Sequence, residues 1–92
     1  MKEKIKKFLK NQQIEDIEVL DADFLKRQIK LILQKPNLEE YIKVIKLFEE
    51  RNYIATFEIN EKEFSSNPKK YLEFLIESRK QLSKNGTFYF EN

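Results

Sequence analysis

The stretch NLEEYIKVIKLFEERNYIATFEI, residues 37–59, decides the fold because a helical pattern in it runs directly into a strand pattern. Asn37 can accept a hydrogen bond from the first turn of a helix, and Glu40 can reach back to the Asn37 main-chain N–H. Apolar residues then recur at the three-and-four spacing of one helical face: Leu38, Tyr41, Ile42, Ile45 and Phe48. The pattern predicts an amphipathic helix that begins after Asn37.

Residues 53–59 follow a strand pattern, in which apolar side chains occupy alternate positions. These positions are Tyr53, Ala55, Phe57 and Ile59. Such alternation is typical of a strand with one face on a core and the other partly wet. Because Phe48 and Phe57 each lie in the middle of an apolar stripe, we expect the two rings in one core shared by the helix and the strand.

Two short elements are expected near the start of the chain. Residues 2–10 predict an amphipathic helix with Ile5, Phe8 and Leu9 on its apolar face. Residues 14–20 fit both helical and strand spacing. We favour a short strand there, because β-branched residues dominate the segment.

A further helix is expected from Asp23 to Gln34, where apolar residues cover more than half of the helical circumference near its end. Asp21 or Asp23 would cap this helix, and Pro36 would end it because the residue before a proline disfavours the α region. Pro36 and Asn37 leave only a tight connection, so we expect an antiparallel hairpin of two helices. The apolar end of this helix lies either under other elements or in a partner surface.

The C-terminal third predicts a helix followed by a strand. Asn67 with Pro68 is a strong helix start, because the asparagine can cap and the proline suits the first helical position. Asn85 and Gly86 predict its end. Residues 87–91 alternate again and predict a last strand, whose direction relative to the earlier strand stays open.

Together these elements predict a single α+β domain over residues 1–92, with about four helices packed on a two- or three-stranded sheet. Apolar residues make up 40% of the chain, which is enough for a core even though charged residues make up 37%. We expect a cytoplasmic protein, since the chain shows no cysteine, no signal peptide and no apolar run that could cross a membrane.

The composition also excludes most common catalytic chemistry. The chain has no histidine and no cysteine, so the usual general base, metal ligand and thiol nucleophile are missing. One glycine is too few for a phosphate-cradling loop. We therefore expect a protein that is not an enzyme and that uses no metal, cofactor or small-molecule substrate.

Binding to another protein is the favoured hypothesis, because the apolar and aromatic residues exceed what three short layers need. The candidate binding residues are Leu31, Phe88, Tyr89 and Phe90. An open sheet edge near the last strand would also allow a homodimer or an added partner strand. Small Lys/Ile/Asn/Phe-rich chains of this kind are often phage or plasmid products, such as antitoxins, immunity proteins or anti-CRISPR inhibitors, and we expect a regulator or inhibitor of a larger protein.

Nucleic-acid binding through the first helix is the alternative. The lysines that would contact phosphates are Lys2, Lys4, Lys6, Lys7 and Lys10. The net charge of +2 is small for a dedicated nucleic-acid binder. Residues 11–25 carry five acidic residues and no basic one, so the N-terminal quarter of the chain is bipolar.

Overall fold

The computed structural model of the protein describes residues 2 to 83, in which four helices pack on a three-stranded mixed sheet. The elements in chain order are α1 (Lys2–Asn11), β1 (Ile17–Asp23), β2 (Gln28–Leu33), α2 (Leu38–Glu50), β3 (Ile54–Ile59), α3 (Glu61–Ser65) and α4 (Pro68–Ser83). The sheet order is β1-β2-β3, with β1 antiparallel to β2 and β2 parallel to β3. The predicted α+β class is confirmed. In this part of the chain, the helices are too short or too polar for any of them to cross a bilayer.

The unit of α2 and β3 has the form that its sequence predicts. The Glu40 N–H donates to the Asn37 side-chain oxygen at 3.1 Å, which caps α2. Asn52, with φ 61°, ends the helix, and the Tyr53 N–H donates to the Phe48 carbonyl at 2.9 Å. This bond and the contact between the Phe48 and Tyr53 rings form a Schellman motif with its hydrophobic partner pair.

The prediction of a helix over Asp23–Gln34 is wrong, because this stretch is a turn followed by strand β2. The Asp23 carboxylate accepts the N–H groups of Leu25 and Lys26, both at 3.1 Å, as a helix cap would. The chain then turns back at Arg27, with φ 54°, and pairs along β1. The expected helical hairpin is therefore absent, and α2 instead connects the parallel strands β2 and β3.

One face of the sheet carries the core. In-register rows of side chains on this face are Ile17, Leu33 and Ile59; Val19, Leu31 and Phe57; and Ala22, Ile29 and Ala55. The Phe57 ring meets the Tyr41 ring edge-on at 4.8 Å. Phe48 is 2% exposed and Phe57 0%, and both belong to one core cluster, as predicted.

Helix α1 packs along β1, with Ile5 and Leu9 buried. A second Schellman motif joins the two elements: Gln13 has φ 61°, and the Ile14 N–H donates to the Leu9 carbonyl at 3.0 Å. The predicted helix at the start of the chain is confirmed. Strand β1 also confirms the strand preference for residues 14–20, although it begins and ends three residues later.

The last two helices follow β3 directly. Asn60 caps the short α3, which the sequence pattern does not predict, and Phe64 in α3 is buried. The Lys70 N–H donates to the Asn67 side-chain oxygen at 3.2 Å, which confirms the predicted start of α4. The predicted helix end at Asn85–Gly86 and the predicted strand over residues 87–91 lie outside the described residues.

Candidate functional site: a groove between α1 and the β1 edge

The structure places the predicted binding residues in different environments. Leu31 is 0% exposed and lies at the centre of β2, on the core face of the sheet. The argument for a partner surface at Leu31 depended on a helix there, and the strand instead directs this side chain into the core. Phe88, Tyr89 and Phe90 lie outside the described residues.

The five lysines of α1 are all exposed, as the nucleic-acid alternative requires. Because Ile5 and Leu9 face the core, the lysines occupy the outer flanks of the helix. Lys2, Lys6 and Lys10 are four residues apart and therefore follow one flank. Lys6 and Lys10 line a groove of about 390 Å³ between α1 and β1.

The main chain on the outer side of β1 faces this groove, and the two residues concerned, Ile17 and Val19, are 3% and 7% exposed. The Gln34 N–H donates to the Asp16 carbonyl at 2.7 Å, so Asp16 faces β2. Main-chain direction alternates along a strand, and Ile17 and Val19 consequently direct their N–H and C=O groups away from β2. Within residues 2–83 no other strand pairs with this side of β1.

The second half of the same edge is closed. The register shifts between Val19 and Asp21, so that Leu20 forms a bulge. Beyond the bulge, the outward N–H of Ala22 donates to the Asp21 carboxylate at 2.9 Å. Bulges and local caps of this kind protect strand edges from pairing. The part of the edge that has neither a bulge nor a local cap is therefore the short segment from Ile17 to Val19.

The groove has an apolar floor and two rims of opposite charge. Its floor is lined by Leu9, Ile14, Ile17 and Val19, which are all buried members of the core cluster. One rim carries Lys6 and Lys10 on α1, and the other carries Glu15 and Glu18 beside β1. Glu18 lies on the opposite face of the sheet from Ile17 and Val19, and its carboxylate accepts a hydrogen bond from the Gln34 side-chain amide at 2.9 Å. The bipolar charge of the N-terminal sequence thus becomes the two sides of one groove.

The walls of the groove are held in place by contacts to α2. The Glu40 carboxylate accepts the main-chain N–H groups of Glu15, at 3.0 Å, and Asp16, at 2.8 Å. Glu40 does not complete the predicted capping box, since its carboxylate binds these N–H groups instead. The Lys43 ammonium donates to the Gln12 carbonyl at 3.0 Å, which ties the end of α1 to the same helix.

The outward-facing residues at the opposite edge of the sheet, on β3, are also buried. The N–H groups of Ile54 and Asn60 donate toward β2, to Arg27 and Leu33, so the residues of β3 that face outward are the alternate ones. These include Ala55 and Phe57, which are 2% and 0% exposed. Ile17 and Val19 on β1 are buried to a similar degree, and they line the groove beside α1.

Another depression, of about 600 Å³, lies at the carboxyl ends of β2 and β3. Its lining residues carry both charge signs and include Asp16, Lys35, Glu63 and Lys70. Polar groups around it bond one another: the Asn37 amide donates to the Asp16 carboxylate at 2.9 Å, and the Asn60 amide donates to Gln34. The depression is therefore a structural junction between the strands and the helix starts.

The described residues offer little for acid–base or metal chemistry. No group of three or more carboxylates in residues 2–83 is placed to hold a metal ion. The Asp21 and Asp23 carboxylates are engaged in local bonds to main-chain N–H groups. Burial raises the pKa of the Tyr41 hydroxyl above its ordinary value, so this phenol keeps its proton at neutral pH.

The fold and the groove define a small α+β domain in which a short strand edge lines a groove beside a lysine-bearing helix. No protein-family model matches the chain, and neither the curated proteins nor the solved structures contain a significant match.

The groove residues were not among the candidate residues that the sequence suggests. Alternation of Ile17 and Val19 around Glu18 predicts a strand, and this is the only local signal for them. Nothing in that alternation shows that β1 is the outermost strand or that α1 lies beside it.

Proposed function

We propose that the protein is a non-enzymatic protein-binding module, which receives an extended segment of a larger partner protein beside β1. The N–H and C=O groups of Ile17 and Val19, which point away from β2 on the floor of an apolar groove, carry this proposal. Added strands bind through main-chain hydrogen bonds for affinity and through side-chain contacts for specificity.

The construction of the groove supports binding without a large conformational cost. Its floor belongs to the core, its helix wall is joined to β1 by a Schellman motif, and its acidic rim is held by Glu40. A preorganised site loses less conformational entropy when a partner binds. The short segment from Ile17 to Val19 sets the size of the contact at a few residues of the partner segment.

The protein acts in this proposal as a small regulator or inhibitor in the cytoplasm, in the manner of antitoxins, immunity proteins or anti-CRISPR inhibitors. It needs no cofactor, metal or small-molecule substrate for that role. The lack of cysteine suits a reducing compartment, and the lack of histidine and cysteine removes the commonest catalytic side chains.

Proline substitution tests the strand-addition proposal directly. Val19→Pro removes an outward N–H and leaves the bonds to β2 intact, since proline is tolerated where the N–H faces away from the sheet. Tagged wild-type protein is used to capture partners from a lysate of its host, and Val19→Pro is expected to lose the captured protein while it keeps a wild-type circular dichroism spectrum.

Ala22→Pro is the matched control, because it makes the same change on the same strand but in the closed half of the edge. This variant is expected to retain the captured protein. If folded Val19→Pro captures the same protein as the wild type, the strand-addition proposal is wrong. If wild-type protein captures nothing, the protein-binding proposal itself fails.

Nucleic-acid binding through α1 is a second candidate, because all five of its lysines are exposed. Glu15 and Glu18 line the same groove as Lys6 and Lys10 and would repel phosphates there. The test is a mobility-shift assay at about 50 mM salt, where electrostatic binding is strong. A shift that disappears when Lys4, Lys6, Lys7 and Lys10 are replaced by glutamine would support this candidate, and no shift would exclude it.

A further inference from the structure

We infer that the segment received beside β1 is acidic on the side that faces α1, and that it comes from a different protein and not from a second copy of this chain. The inference rests on the proposed function, because it describes the partner of the same groove. It is carried by the charges on the two rims and by the spacing of the lysines.

The lysine row on α1 matches the side-chain repeat of an added strand. Residues four apart on a helix are separated by about 6 Å along its axis. Alternate residues of a strand, which share one face, are separated by about 6.6 Å. Lys6 and Lys10 both line the groove beside Ile17 and Val19, and Lys2 continues the same flank. In a strand that runs along α1, alternate side chains would therefore come into register with successive lysines.

Glutamate suits these helix-facing positions in two ways. Its methylene groups can cover the apolar floor formed by Leu9 and Val19, while its carboxylate reaches the lysine ammonium groups. The intervening side chains of the added strand lie on the other face of the sheet, beside exposed Glu18. Those positions consequently favour polar or basic residues. A segment that alternates glutamate with such residues complements both rims.

A second copy of the chain is a poor occupant for the same electrostatic reason. Antiparallel pairing of β1 with the β1 strand of another copy sets Glu18 against Glu18, Asp16 or Leu20, depending on the register, so two of the three registers oppose like charges. Like charges directly opposite each other on paired strands are destabilising. The two lysine-bearing α1 helices would also face each other across the new pair of strands. Both repulsions disappear when the added strand is acidic toward α1 and polar toward Glu18.

Three labelled peptides of seven residues test the charge preference by fluorescence anisotropy. Each alternates threonine with one other residue, which is glutamate, glutamine or lysine. Each exposed ion pair contributes a factor of about two to five in affinity, so the glutamate peptide is expected to bind about five- to twentyfold more tightly than the glutamine peptide. The lysine peptide is expected to bind most weakly, and the differences should shrink in about 1 M salt.

Charge reversal on α1 identifies which flank of the helix produces the preference for the glutamate peptide. The double variant Lys6→Glu with Lys10→Glu should reverse the order, so that the lysine peptide binds more tightly than the glutamate peptide. Lys4→Glu with Lys7→Glu changes the net charge equally but on positions that do not line the groove, and it should preserve the order. If both double variants behave alike, the lysine row is not the recognition element.

The outcomes separate this inference from the proposed function. If all three peptides bind equally and Val19→Pro abolishes their binding, strand addition stands and the acidic preference is overturned. A peptide at about 1 mM populates a complex even when its Kd is as weak as about 1 mM. If the glutamate peptide does not bind at that concentration, the inference is also overturned. A wild-type dimer that Val19→Pro dissociates, measured by sedimentation equilibrium at about 100 μM, would show that a second copy occupies the groove.

Discussion

The carboxylate of Glu40, in the first turn of α2, accepts a hydrogen bond at 2.8 Å from the main-chain N–H of Asp16, across 24 residues of sequence. The other oxygen of the same carboxylate accepts the Glu15 N–H at 3.0 Å. These two N–H groups belong to the segment that enters β1. One side chain of the central helix therefore fixes the position at which the outermost strand, and with it the acidic rim of the groove, begins.

Replacement of Glu40 is expected to weaken both the fold and the groove. Glu40→Ala leaves two N–H groups without their acceptor, and a hydrogen bond to a charged group contributes about 1.5 to 3 kcal/mol. We expect a loss of about 2 kcal/mol in the free energy of unfolding, measured by urea denaturation. Glu39→Ala, on the exposed side of the same turn, is the control. Equal midpoints for the two variants would contradict a clamping role for Glu40.

Truncation of the central rings is expected to be costly. Phe57 is 0% exposed and Phe48 2%, and replacement of a buried phenylalanine by alanine costs about 3 to 5 kcal/mol. Either variant should lose a large share of the stability of so small a domain. Leu25→Ala is the control, because Leu25 is 96% exposed and its removal should change the free energy of unfolding by less than about 0.5 kcal/mol. A Phe48→Ala protein that melts within a few degrees of the wild type would refute the shared core.

Gln13→Gly is expected to stabilise the protein. Gln13 occupies the left-handed region at φ 61°, which costs a residue with a Cβ about 1 kcal/mol and costs glycine almost nothing. A gain of about 1 kcal/mol corresponds to an increase of roughly 4 to 8 °C in Tm for a domain of this size. Gln12→Gly, one position earlier and outside the positive-φ residues, should instead lower the Tm. A fall in Tm for Gln13→Gly would mean that its side chain makes a necessary contact.

Stability should fall in alkali because of Tyr41. Burial raises the pKa of its hydroxyl above the ordinary value of 10.0. Above that pH the unfolded chain releases the proton while the folded chain retains it. The contribution of Tyr41 to the free energy of unfolding is therefore fully present below about pH 10. It decreases as the pH rises, by up to about 1.4 kcal/mol per pH unit. Urea titrations between about pH 8 and pH 11 measure this alkaline loss of stability. Tyr41→Phe should remove the loss, and Tyr53→Phe should retain it. Identical alkaline slopes for wild type and Tyr41→Phe would rule the effect out.

Helix and strand ends that are marked by nearby residues are predictable in this chain. The starts of α2 and α4 follow from Asn37 and Asn67, whose side chains accept N–H groups three residues ahead. The period of two from Tyr53 to Ile59 likewise specifies β3 and its core face. These bonds and patterns lie within a few residues of each other, so they need no information about the rest of the fold.

Strand β2 shows where local reasoning fails. The Asp23 carboxylate accepts the N–H groups of residues two and three positions ahead, and this arrangement serves a turn as well as a helix cap. The segment QIKLIL is short and mostly apolar, so its spacing suits a buried strand or a buried helix. Pairing with β1 on one side and β3 on the other decides between them, and both partners lie elsewhere in the sequence.

The sequence by itself determined the α+β class, the helix–strand unit from Asn37 to Ile59 and the separation of basic from acidic residues along the first 25 positions. Only the tertiary structure decided that β1 is the outermost strand, that α1 lies beside it, and that Lys6 and Glu18 line the same groove. The physical reason is that every strand carries the same main-chain donors and acceptors. Which of them stay accessible depends on the order in which distant segments pair and on the helices that cover them.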